Sequence, residues 1–338
     1  MNIWSKVKKK YKQIRYPRRF GKEYKMLVRQ YKKKHISETE YEDRKIKIEQ
    51  EYYSNISDAE HKQDLIEKFR LFAPNYGGTG DVVNPKTYNE KIQWLKLNDS
   101  TELKTKLSDK YAVRFWIEEK IGKQYLIPLL GVWDKADDID FEKLPKQFVL
   151  KTNHASGTNI IVKDKDTIDK GKIIQKLNEW MQVTYGYEWY EKQYIDIEKK
   201  IIAEEYIEQM DGGLYDFKFH CFNGEPQYIH VLGERSEHGG KEAFYDAFWV
   251  KQNFICGAYP MFDKEIKKPS KFDEMLALSK QLSKDFLYVR VDFYQIKDEV
   301  KFGEMTFTPY AGIYKWNPPE TNVLFGELLQ LSFEEKEV

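Results

Sequence analysis

The sequence predicts an α+β protein of more than one layer, and three features carry that reading. Helix-period and strand-period stretches alternate from Thr87 onward. Two strand-like runs, Asp216–Phe222 and Pro226–Leu232, flank Asn223-Gly224, a strong two-residue hairpin signal. Near the C-terminal end, Tyr288–Ile296 and Val300–Phe307 read as a second strand pair around Lys297-Asp298.

The elements follow in order. Residues 1 to about 70 are rich in Lys, Glu and Tyr, helical in character and without a clear strand pattern. Phe72–Pro85 is a Gly/Asn/Pro-rich connection containing Gly77, Gly78 and Gly80. It lacks the lysine and hydroxyl partners of a P-loop, so it reads as a plain linker. Asn89–Leu97 is a short amphipathic helix, and Leu103–Ile121 reads as one longer helix that Gly122 ends. Leu126–Trp133 is strand-like. Phe148–Thr152 and Asn159–Lys163 are strands separated by a small-residue turn. Asp169–Val183 is helical, Ile201–Ile207 is a strand, and Met275–Phe286 is a helix with Met275, Leu278, Leu282 and Phe286 on one face.

The chain has 338 residues, a third of them charged, which reads as globular. No apolar run approaches the roughly 18 residues that a membrane span needs. The basic start, Met1 to Tyr11, has no apolar stretch after it, so no secretory signal and a cytoplasmic location are expected. Cys221 and Cys256 lie far apart and are expected to be reduced, buried thiols. The net charge of +1 hides an asymmetry: residues 1–35 hold fourteen Lys or Arg and one acid, Glu23. Ile3, Trp4, Val7, Tyr11 and Ile14 recur there at helical spacing, the pattern of a basic amphipathic helix on an anionic membrane surface. The plainer alternative is a solvated helix packing those few apolar residues on its own domain. Nucleic acid is not expected, because no reading module surrounds the basic run.

Four stretches offer chemistry. Lys110, in Ser108–Arg114, can present an ammonium to a phosphate, although alone it reads as an exposed helix lysine. Lys151 ends an apolar strand, where a charge is costly without a partner. The loop after it has the Ser156 and Thr158 hydroxyls and backbone N–H groups that can surround phosphate; an ordinary hairpin with an edge lysine is the alternative. Glu204 and Glu205 sit at the centre of the Ile201–Ile207 strand, suited to an adenine amino group or ribose hydroxyls; a strand simply leaving the core is the alternative. Last, alternation places Arg290 and Asp292 on one face of one strand, and Glu304 and Thr306 on one face of the next. If the strands pair, two carboxylates meet, which with nucleotide phosphates is a usual way to hold Mg²⁺. Arg290 beside them can clamp charge developing on a phosphoryl group; a cross-strand Arg–carboxylate pair on a solvated face is the alternative.

In this order the stretches resemble the ATP-grasp superfamily, and residues Thr87 to Glu327 resemble its TupA-like (teichuronopeptide-biosynthesis-like) family. The carrying segments are Asn89–Lys96, Asp109–Arg114, Tyr125–Trp133, Gln147–His154, Phe217–Pro226, Val289–Asp292 and Phe302–Phe307. The resemblance implies an ATP-grasp fold with two α+β lobes around an ATP cleft, behind a basic helical N-terminal segment. It divides the chain into residues 1–70, a linking region 71–145 and an ATP-grasp domain 146–330. It implies that Lys110 and Lys151 contact phosphates, and that the loop Ala155 to Asn159, with Gly157 in it, is a flexible lid. Glu204, Glu205, Tyr206 and Ile207 match the strand that reads adenine, partly through backbone groups. Asp292 and Glu304 match two Mg²⁺ carboxylates, Arg290 the transition-state arginine and, more loosely, Lys218 a residue facing the phosphates or the acceptor. Thr306 departs from the family, which commonly has Asn there, and so puts the usual two-metal arrangement in doubt.

The implied activity is an ATP- and Mg²⁺-dependent carboxylate–amine ligase working through an acyl phosphate. Its implied setting is bacterial cell-surface polysaccharide assembly, on a small-molecule or lipid-linked saccharide, amide-linking a uronic acid or amino acid. A sugar kinase, a glycosyltransferase and a non-catalytic ATP-binding module are the alternatives. Asp138-Ile-Asp140 has the form of a glycosyltransferase metal motif but lies in an acidic, solvated-looking loop.

Overall fold

The computed structural model describes residues 20–207, 213–236, 239–257 and 259–332. The apolar positions Ile3, Trp4, Val7, Tyr11 and Ile14 of the expected membrane-binding helix lie outside them. The chain divides into two compact units, Met1–Asp64 and Leu65–Val338. None of the described helices is long and apolar enough to cross a membrane.

In the first unit, the buried apolar residues of α1 (Gly21–Lys32) and α2 (Glu38–Asn55) are mostly tyrosines. Tyr24 and Leu27 of α1 and Tyr41 and Tyr53 of α2 are buried, and Tyr31 stacks on Tyr41 at 4.4 Å. The Ser37 hydroxyl caps α2 by accepting the Glu40 N–H at 3.1 Å. Glu60 accepts the Ser57 N–H and hydroxyl at 2.8 and 2.7 Å, which starts α3 (Asp58–Phe72).

The second unit holds two antiparallel sheets. The four-stranded sheet contains β1 (Leu129–Trp133), β2 (Phe148–Thr152), β3 (Asn159–Val162) and β4 (Ile201–Glu205), in the order β1-β4-β2-β3. Phe148, Leu150, Ile201 and Ala203 pack against Ile173 and Leu177 of α7 (Lys170–Gln182), and the short α8 (Lys192–Ile195) precedes β4. The five-stranded sheet contains β5 (Asp216–Phe222), β6 (Glu225–Ser236), β7 (Gly239–Asp246), β8 (Tyr288–Ile296) and β9 (Glu299–Thr306), in the order β7-β6-β5-β8-β9. At the β5–β6 turn, Asn223 (φ 49°) and Gly224 (φ 84°) are both left-handed, as a two-residue turn matching the strand twist requires.

Alternation gives the five-stranded sheet two unlike faces. On one, Phe217, Phe219, Ile229, Val231, Val289 and Val291 bury against Phe272, Met275 and Leu282 of α9 (Phe272–Ser283). Each such side chain contributes about 1.5–3 kcal/mol when fully buried. The opposite face is mixed. Phe222, Phe244 and Tyr288 join Tyr88 and Ile92 of α4 (Tyr88–Asn98) and Phe325 of α10 (Thr321–Leu328) in an aromatic cluster. The same face also carries Lys218, Arg290, Asp292 and Glu304.

Two expectations are corrected. The single helix over Leu103–Ile121 is two, α5 (Glu102–Ser108) and α6 (Val113–Lys120). Asp109 breaks it: its carboxylate accepts the Tyr111 and Ala112 N–H groups at 2.7 and 3.1 Å, a local turn that competes with the helix. Phe72–Pro85 is no plain linker. Glu90 of α4 gathers it, accepting from Thr79 N–H and hydroxyl, Gly80 N–H, Lys86 N–H and Thr87 N–H at 2.7–3.1 Å. Thr87 and Glu90 also form a capping box at the start of α4.

Candidate functional site

The charged half of the five-stranded sheet is built by register. Lys218, Asp292 and Glu304 stand side by side on β5, β8 and β9, and His220, Arg290 and Thr306 form the next row. Arg290 is the hub. Its Nε and Nη2 donate to the two Asp292 oxygens at 2.7 Å each, and Nη2 also reaches Glu304 Oε1 at 2.8 Å and Thr306 Oγ1 at 3.0 Å. Lys218 bonds the same Asp292 carboxylate and lies 2.8 Å from Asp216. Burial favours the neutral Asp292 carboxyl and raises its pKa, against Arg290 and Lys218. Glu304 behaves oppositely. Burial opposes its charge, yet Arg290, Lys218 and Lys110 together hold its carboxyl at about 2.

The two carboxylates differ in availability. Asp292 is 1% exposed and both its oxygens are engaged. The Glu304 side chain is 39% exposed, and its Oε2 has no hydrogen bond among the described residues. An all-oxygen set of Asp292, Glu304 and the Thr306 hydroxyl suits a hard cation such as Mg²⁺. The open oxygen of Glu304 fits that ion directly; Asp292 fits once Arg290 or Lys218 turns to another anion.

A second cluster belongs to the four-stranded sheet. Lys151 Nζ reaches Glu204 Oε2 at 2.6 Å, and Arg114 Nη1 reaches Glu204 Oε1 at 2.9 Å. Arg114 also donates to the Ile127 carbonyl at 2.6 Å. Lys110 sits between the clusters: burial lowers its pKa, Glu304 opposes that lowering, and Lys151 adds to it. The helix break puts it there. Asp109 accepts from Asn153 Nδ2 at 2.9 Å, the Lys110 N–H donates to the Asn153 carbonyl at 3.1 Å, and Lys110 Nζ bonds the Ala155 carbonyl.

Among the loop residues, Ser156 and Gly157 are exposed, and Gly157 is left-handed (φ 75°) with nothing within 4 Å of where a Cβ would stand. Thr158 is tied back to Thr152 through their hydroxyls at 2.6 Å. Glu205 is exposed and its N–H donates to the Pro128 carbonyl at 3.0 Å, while Tyr206 and Ile207 are half-buried. His154 and His220 are both buried. His154 bonds the Val183 carbonyl at 3.1 Å and His220 the Tyr288 hydroxyl at 2.8 Å; burial depresses both pKa values, that of His154 to about 4.

Sequence reading did not single out Arg114, Asp109 or Asn153 as functional. It also passed over three polar side chains on one face of α4. Asn89 Nδ2 donates to the Tyr314 carbonyl at 2.9 Å, Gln93 Nε2 to Gly312 at 2.9 Å, and Lys96 Nζ to Ala311 at 2.6 Å. They grip the segment that follows β9, where Tyr310, Ala311 and Gly312 are all left-handed (φ 51°, 56° and 68°). Lys96 is buried; burial lowers its pKa to about 7, with Glu191 opposing and Lys68 adding. The i, i+4, i+7 spacing of Asn89, Gln93 and Lys96 was the available signal.

A family model described as TupA-like ATPgrasp matches residues 90–330. No curated protein matches the chain. Among solved structures, the chain is similar to a D-alanine–D-alanine ligase from Helicobacter pylori, at 12% identity over 72% of this chain and 69% of that one, TM-score 0.39. A D-alanine–D-alanine ligase from Bacillus anthracis is 17% identical over 66% of this chain and 67% of that one, TM-score 0.36. A RimK domain ATP-grasp protein from Sphaerobacter thermophilus is 10% identical over 67% and 69%, TM-score 0.37.

Proposed function

The chain belongs to the TupA-like ATP-grasp family, and from that premise we propose that it is an ATP- and Mg²⁺-dependent carboxylate–amine ligase of cell-surface polysaccharide assembly. The observation that supports this reading best is the Arg290–Asp292–Glu304–Thr306–Lys218 cluster facing Lys110. Cations and carboxylates alternate there at hydrogen-bond distance. That is what a site needs when its work is positioning and charge stabilisation and no side-chain nucleophile is required.

On this reading the residues divide the work as follows. Lys110 and Lys151 hold phosphate oxygens, and Glu204 keeps Lys151 extended until nucleotide arrives. The backbone of Glu205 to Ile207 faces the adenine, and the Ser156–Thr158 loop covers the phosphates. Asp292 and Glu304 would hold Mg²⁺, which when bound neutralises phosphate charge. Arg290, released from one of its carboxylate partners, stabilises charge on the phosphoryl group in flight. Lys218 stays beside Asp292 and faces the acyl-phosphate side. The carboxylate substrate is a uronic acid or amino acid, and the amine attacks its acyl phosphate to give an amide.

The test is incubation with ATP, Mg²⁺ and a panel of uronic acids, amino acids and sugars, with products identified by mass spectrometry. The expected outcome is ADP plus an amide, with turnover falling roughly 10²-fold or more in Glu304→Gln, the scale of losing one preorganised electrostatic group. ADP with a phosphorylated hydroxyl would make the protein a kinase. Nucleotide binding without turnover on any panel member would favour a binding module.

A further inference from the structure

Outside the two clusters above, the described residues bring together one group of three buried metal-ligating side chains. His230 is on β6, Glu242 on β7 and Cys256 in the segment after β7. His230 Nε2 lies 2.9 Å from Glu242 Oε2. Cys256 Sγ lies 3.1 Å from that oxygen and 3.8 Å from His230 Nε2. We propose that these three residues form a binding site for a zinc-type divalent cation, separate from the Mg²⁺ carboxylates.

Geometry is the first reason. Zinc bonds of about 2.0–2.3 Å set tetrahedral donor atoms roughly 3.3–3.7 Å apart, so the three atoms need move only a few tenths of an ångström. A point roughly 2 Å from all three lies within the triangle they define, a zinc bond length. The donor set is the second reason. One sulfur, one imidazole nitrogen and one carboxylate oxygen select zinc over magnesium or calcium, which take oxygen ligands. Charge is the third. A thiolate and a carboxylate offset a divalent cation, so the loaded site adds no net charge to a buried place.

The ligands are also held before any ion arrives. The Gly257 N–H donates to Glu242 Oε1 at 3.0 Å and leaves Oε2 for the cluster. The Phe244 ring stacks on His230 at 4.3 Å and 4°, which sets the imidazole plane. Burial lowers the His230 pKa, and Lys218 and Arg290 add to that against the pull of Glu242. On binding, the Cys256 thiol gives its proton to solvent, and the neutral imidazole carries its remaining proton on Nδ1. Three protein ligands leave a fourth position for water or a substrate group.

The site is distinct from the Glu304 region. His230 stands in register with Lys218, and β5 and β8 intervene before β9. At the usual strand spacing that is roughly 14 Å. A bound ion would pin the edge strand β7 and the Cys256 segment to the sheet face that carries Arg290.

The test uses the full-length protein without a histidine tag, loaded with Zn²⁺, gel-filtered and assayed for metal by mass spectrometry. A parallel sample takes Co²⁺, whose bond to a thiolate gives a near-ultraviolet charge-transfer band. One zinc per chain and the cobalt band are expected, both lost in Cys256→Ala and both kept in Cys221→Ala and Glu304→Gln. A wild-type protein that retains no stoichiometric zinc overturns the proposal, as does cobalt binding without a thiolate band, or zinc kept by Cys256→Ala. If Cys256→Ala fails to fold, the wild-type cobalt spectrum decides. These readouts need neither ATP nor an acceptor, so they stand apart from the ligase reading.

Discussion

At His154, burial is the largest influence on the imidazole's protonation. The residue is 1% exposed and its Nε2 bonds the Val183 carbonyl. Desolvation lowers its pKa from 6.5 to about 4. Above pH 6.5 it is neutral in both folded and unfolded chains and has no effect on stability. As pH falls, the unfolded chain takes the proton first, so stability drops between about pH 6.5 and 4 and levels off below. The shift is worth about 3 kcal/mol over that window. His154→Gln, which keeps an N–H donor and cannot charge, should flatten this part of the stability–pH curve in urea melts. An unchanged slope would mean that the imidazole stays protonatable in the folded protein.

Among the elements, α4 does the most to organise the second unit. Its N-terminal Glu90 accepts five hydrogen bonds from the 79–87 segment, and burial notwithstanding, those donors hold its carboxyl at about 2. On another face of the same helix, Asn89, Gln93 and Lys96 grip the left-handed segment after β9. At its other contact Gly326 of α10 leaves no room for a side chain, because a Cβ there would meet the Lys86 carbonyl. Glu90→Ala strands four backbone N–H groups at once. A loss of at least about 3 kcal/mol is expected, since each bond to a charged acceptor is worth about 1.5–3 kcal/mol and water replaces some of them. Chemical denaturation would read it; a change under 1 kcal/mol, on the order of a single surface bond, would mean that the segment is held by something else.

For the whole molecule, charge asymmetry is the feature with a consequence. Fourteen basic residues and one acid in residues 1–35 precede a body of net charge −12, which follows from the total of +1. We propose that this head brings the enzyme to anionic membranes, where lipid-linked saccharides are found. Full-length protein should sediment with anionic vesicles in a salt-sensitive way, and deletion of residues 1–35 should abolish this while Mg²⁺-ATP binding persists. Equal sedimentation of both forms would remove the membrane role and leave the nucleotide site untouched, because every residue named for that site lies beyond Leu65.

Local pattern determined much of the fold. Alternation on Tyr288–Ile296 and Val300–Phe307, and Asn223-Gly224 between two strands, decide which side chains share a face, because strand period and turn conformation act over a few residues. The family resemblance was carried by ordered short segments, and it too needed only the sequence. Tertiary structure decided what depends on partners far apart in the chain. Asp109 ends a helix that periodicity would continue, because Asn153, forty-four residues away, rewards the turn that delivers Lys110. Glu90 turns an apparent linker into an ordered loop, and the meeting of His230, Glu242 and Cys256 depends on strand register and a return of the chain. Such contacts form only when the chain closes on itself, and the energy that selects them comes from burying and satisfying polar groups together, which no single segment displays.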